Sequence, residues 1–76
     1  MNAISNSELQ DLARDEIEKI RKATSSQQIT ELACVASGVI RGMMLAGGIT
    51  VSQGKLLQTE LDAMVHAVLP ANPTES

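Results

Sequence analysis

The chain has 76 residues, 43% of them hydrophobic and 20% charged, with a net charge of -3 and no Phe, Trp or Tyr. A chain of this length buries only about 60% of the surface its unfolded form exposes, and without aromatics that burial falls to Leu, Ile, Val, Ala and Met. These figures leave room for one small domain that would gain from a partner subunit, and a pI near 4.9 gives no overall attraction for nucleic acid or anionic lipid.

Ser5-Asn6-Ser7-Glu8 predicts a capping box, with Ser5 at the N-cap, Glu8 reaching back from N3, and Ile4 and Leu9 placed as a hydrophobic staple. Leu9, Leu12, Ala13, Ile17 and Ile20 then recur every three or four residues, a narrow apolar stripe on a charged helix running from about Asn6 to Ala23. Asp15 with Lys19 and Glu18 with Lys22 are acid-before-base pairs at i,i+4, and the order of acids early and bases late complements the helix dipole.

Thr24 to Gln28 is a polar break with a second capping box, Ser25 to Gln28, so the chain turns and a second helix runs from about Ser26 to Ala46. The short connection predicts an antiparallel hairpin. Gly47-Gly48 punctuate the end of this helix, and a third box, Thr50 to Gln53, opens a helix in which Leu57, Leu61, Met64 and Val68 share a face widened by Leu56 and Ala67. Pro70 stops that helix at about Leu69, and residues 71–76 read as a solvated tail. The expected architecture is all-α: one three-helix domain over residues 1–70, two helical hairpins in series, with the second helix central.

The second helix carries most of the information. Ile29, Leu32, Ala33, Ala36, Val39, Ile40, Met43 and Met44 cover a broad apolar face suited to the centre of a bundle. Met43, Met44 and Met64 are expected to fill core gaps that aromatics would otherwise occupy. Cys34, Gly38, Gly42 and Ala46 follow one another every four residues, a strip of small side chains in which each mid-helix glycine costs about 1 kcal/mol relative to alanine. Close packing against another helix would offset that cost, either within the chain or across a homodimer seam by analogy with small-residue crossings. Cys34, Gly38, Arg41, Gly42 and Leu45 are the candidate interface, with Arg41 as an anchor of the type enriched in binding hot spots. Arg41 is also the only charge between Leu32 and Val51, a stretch of nearly membrane-spanning length. Its central position, the Gly47-Gly48 break and the lack of an aromatic belt point to a buried central helix instead.

Two further surfaces stand out. The first helix presents Glu8, Asp11, Asp15 and Glu18, an acidic face able to meet a basic surface on a protein partner. Arg14, Lys19, Arg21 and Lys22 form the alternative, a modest basic patch at the end of the same helix that would serve a nucleic-acid-binding regulator. Ala33 and Gly38 are one residue too far apart for the turn of a helix-turn-helix motif.

For catalysis the inventory is one histidine and one cysteine: Asp62 and His66 share a helix face as a potential carboxylate–histidine contact, and Cys34 lies on another helix. No phosphate loop or metal-ligand spacing is present in the sequence. No enzyme activity and no cofactor are expected. A lone thiol fits a reducing compartment, and the first ten residues lack the basic and apolar regions of a secretory leader, so the expected location is the cytoplasm. The expected function is a small protein-binding regulator or adaptor that works as a homodimer.

Overall fold

A computed structural model describes residues 4–69. The three helices are α1 (Asn6–Arg21), α2 (Ser26–Leu45) and α3 (Val51–Val68). The proline stop at Pro70 and the expected tail at 71–76 lie outside the described residues.

Each helix starts where a side chain can satisfy its unpaired amides. Ser5 Oγ accepts the Glu8 N–H at 3.1 Å while Glu8 Oε1 accepts the Ser5 N–H at 2.9 Å, and Thr50 with Gln53 repeats the exchange at 3.1 and 2.9 Å. The middle box is only half formed. Ser25 Oγ accepts the Gln28 N–H, but Gln28 Oε1 turns to the N–H and hydroxyl of Thr24, at 2.7 and 3.1 Å. That arrangement ties down the connection between α1 and α2 instead of its cap.

Helix ends fall one or two residues short of expectation, at Arg21, Leu45 and Val68. After α1 the amides of Lys22 and Ala23 bond to the carbonyls of Lys19 and Ile20, a tighter turn that leaves the α ladder. After α2 the Gly48 N–H reaches Met43 O at 2.9 Å and the Gly47 N–H reaches Met44 O at 3.1 Å, the two bonds of a Schellman motif. Gly47 sits at φ +76°, the left-handed conformation that this motif requires and that glycine adopts without penalty.

The helices run up, down and up, so α1 and α3 are parallel and α2 is antiparallel to both. Asn6 Nδ2 donates to Gln53 Oε1 at 2.7 Å, and about two turns further along Arg14 grips Glu60, which fixes the α1–α3 register at both points. The sequence pointed to the outer helices lying on the central one. In fact all three pairs pack, because a small core is best enclosed by closing the third side.

Ala13, Ile17, Ile20, Ile29, Ala36, Ile40, Ile49, Leu57 and Leu61 are buried, and Leu9, Leu32, Met43, Met44 and Met64 pack around them. The methionines, expected to fill gaps within the core, are partly buried and pack against its border. Four apolar positions behave differently: Leu12, Leu56 and the staple residue Ile4 are 46%, 54% and 56% exposed, and Ala67, placed with Leu56 on the face of α3, is exposed as well. Leu12 and Leu56 lie at the edges of their stripes, rotated beyond the arc that a three-helix core can cover.

Close approach occurs at two glycines other than those in the small-residue strip. A Cβ on Gly54 would overlap Sδ and Cγ of Met44, so this glycine lets α3 seat against the end of α2. A Cβ on Gly48 would lie 2.5 Å from Leu9 Cδ1, where the turn after α2 passes over the start of α1.

Candidate interaction surfaces

The residues singled out on α2 share one face, and it points away from the core. Cys34, Gly38, Arg41, Gly42 and Leu45 are all exposed, with Glu31, Val35 and Ala46 beside them. A Cβ added to Gly38 or Gly42 would meet nothing within 4 Å. Neither α1 nor α3 crosses the strip, so a contact within the described chain is excluded as the reason for these glycines. Val35 and Leu45, 52% and 83% exposed, make the face apolar as well as small. Among the described residues neither of its charges, Glu31 or Arg41, forms an ion pair.

Glu8, Asp11, Asp15 and Glu18 on α1 are likewise exposed, but they are not equivalent. Hydrogen bonds from the Ser5 backbone and side chain hold the Glu8 carboxyl below its ordinary range, so Glu8 serves the cap. Glu18 Oε2 accepts from Arg21 Nη2 at 3.3 Å. Asp11 and Asp15 are left as the members without a salt-bridge partner among the described residues.

The basic residues are dispersed by pairing. Arg14 donates from Nε and Nη2 to the two Glu60 oxygens at 3.0 and 3.1 Å. Those hydrogen bonds, and then the Glu60 charge, push the guanidinium further above its already basic value. Lys19 bonds Glu16 at 2.8 Å and Arg21 bonds Glu18, both at i,i+3 in place of the expected Asp15–Lys19 and Glu18–Lys22 pairs. Residues three and four apart are both neighbours on a helix surface, so either spacing can supply the partner. Of the four bases, Lys22 alone has no such partner among the described residues.

A groove of about 330 Å³, which the sequence did not suggest, opens between α2 and α3. Ala33, Leu61 and Val65 give it an apolar lining, and Thr30, Cys34, Ser37, Gln58, Asp62 and His66 line the rest. Gln58 Nε2 lies 3.5 Å from both the carbonyl and the hydroxyl of Ser37, which sets the two helices level at this point. His66 Nδ1 lies 2.8 Å from the Asp62 backbone carbonyl, so this nitrogen carries the proton and donates it there. The expected contact with the Asp62 carboxylate gives way to this i,i+4 bond. Cys34, an exposed free thiol, borders the same groove as His66 because the α2–α3 hairpin brings their levels together.

Among the described residues no group of three or more His, Cys, Asp and Glu is placed to hold a metal ion. No described helix is long and apolar enough to cross a membrane. Comparison with protein-family models, with curated proteins and with solved structures gives no match to this chain.

Proposed function

We propose that the chain is a small non-enzymatic interaction module, a regulator or adaptor that self-associates through the solvent face of α2. One observation carries this reading: two mid-helix glycines with open space where their Cβ atoms would be, on a face that also exposes Val35 and Leu45. Each glycine weakens the helix by about 0.5–1 kcal/mol relative to alanine, and no contact in the described chain offsets that loss. Close approach by a second helix would, since a helix without Cβ atoms at two successive turns admits a neighbouring backbone.

An isologous contact also suits a domain too small to enclose all its apolar surface. The acidic side of α1, principally Asp11 and Asp15, then remains free for a basic surface on a further protein. Direct nucleic-acid binding draws less support, because carboxylates already accept the charges of Arg14, Lys19 and Arg21.

The solution mass of wild type and of Gly38→Leu, followed over a wide concentration range, tests the reading. A wild-type dimer and a folded monomeric variant are expected. A wild-type monomer at every concentration would refute self-association.

A further inference from the structure

Leu45 is 83% exposed, the most open of the large hydrophobic residues on the described surface. The same side of the molecule holds the α2–α3 groove, an apolar hollow about large enough for several methyl groups, bordered by Cys34 and Asp62. At about 100° per residue, Cys34, Arg41 and Leu45, spaced seven and four apart, form one row on α2 leaning from Gly38 toward α3. Hollow and protrusion therefore lie on one line, separated by the turn that Gly38 and Gly42 bound.

That layout is self-complementary. In a two-fold contact residue i meets j and j meets i. An antiparallel crossing with its axis through the Gly38–Gly42 turn sets the partner's Leu45 over Cys34, and this Leu45 over the partner's Cys34. The two backbones then come closest where a Cβ is missing and nothing else lies within 4 Å.

The charges agree with the same register. Neither Arg41 nor Asp62 has a salt-bridge partner among the described residues. Gln58 lies beside Ser37, so Asp62, one turn onward in the antiparallel α3, stands near the level of Cys34. Arg41 precedes Leu45 by four residues, about 6 Å along the helix, an offset that the long side chain of the partner's Arg41 spans when extended toward Asp62.

We infer that the occupant of the α2–α3 groove is a second copy of this chain, inserting Leu45 between α2 and α3 and pairing Arg41 with Asp62 in an antiparallel α2 crossing. The inference rests on the self-association reading above and adds its register and its contacts.

Sedimentation of the full chain tests it with four variants: Leu45→Ser, Arg41→Asp, Asp62→Arg and the Arg41→Asp/Asp62→Arg double reversal. Leu45 and Arg41 are exposed, and the His66 bond uses only the Asp62 backbone, so circular dichroism should show native helix throughout. Each single variant is expected to weaken dimerisation by about tenfold or more, and the double reversal to return it to within about threefold of wild type. A wild-type dimer indifferent to Leu45→Ser, or a double reversal as weak as its parents, would overturn this register while leaving self-association standing. A wild-type monomer would overturn both.

Discussion

Alanine at three helical glycines should move stability in opposite directions. At Gly38 and Gly42 the new methyl group enters open space, so only helix propensity acts, and each substitution should stabilise the fold by about 0.5–1 kcal/mol. At Gly54 the same propensity gain meets overlap with Met44, whose Sδ and Cγ occupy the position of the added carbon. Displacing a packed side chain typically costs about 1–3 kcal/mol, so the net effect should be a loss of about 1 kcal/mol. For a domain of this length 1 kcal/mol corresponds to about 4–8 °C in Tm.

Urea and thermal unfolding followed by far-UV circular dichroism would measure all three. The protein must be dilute, because association of the folded form raises apparent stability by mass action. Destabilisation by Gly38→Ala in dilute protein would mean that the strip packs within the chain, against the geometry described. Stabilisation by Gly54→Ala equal to that of Gly38→Ala would mean that Met44 does not seat against α3.

The Arg14–Glu60 pair joins α1 to α3, yet its side chains are 43% and 37% exposed. A double-mutant cycle with Arg14→Met and Glu60→Gln should therefore return a coupling of only about 0.5–1 kcal/mol that shrinks in high salt; a coupling unaffected by salt would contradict the exposed geometry. Glu8 should contribute to the acid limb of the stability profile. Its folded pKa lies below the ordinary 4.5, so its contribution is present above that value and is lost as the pH falls through the lowered folded pKa. Glu8→Gln, which can still accept the Ser5 N–H, should flatten the profile below about pH 4.5. An unchanged profile would show that the cap carboxylate is not preferentially stabilised in the fold.

Local signals made the helices legible. Ser5, Ser25 and Thr50 all serve as N-caps, and Gly47 takes the left-handed turn after α2, because capping depends on residues only three or four apart. The arc of each helix that would be buried was less legible. Leu12 and Leu56 fit the periodicity but stay exposed, since the arc a small bundle covers depends on how many neighbours each helix has.

Longer-range pairings required the register. Arg14 and Glu60 stand at nearly equal distances from their N-caps, Ser5 and Thr50, and two parallel helices starting level bring such residues together. That signal is present in the sequence, but it has meaning only once α1 and α3 are known to touch. The glycines divide for the same reason. Sequence spacing drew attention to Gly38 and Gly42, which are open, and passed over Gly54, whose neighbour Met44 comes from another helix. The α2–α3 groove joins side chains from two helices and has no signature in either alone.

The most direct test of the central claim is a two-dimensional NMR amide spectrum of the wild-type chain recorded from dilute to concentrated protein. Self-association through α2 predicts concentration-dependent shifts centred on Cys34, Gly38, Arg41, Gly42 and Leu45, with Asp11 and Asp15 on α1 unmoved. A spectrum that does not change with concentration and whose relaxation gives the tumbling time of a monomer, or shifts confined to the acidic side of α1, would contradict it.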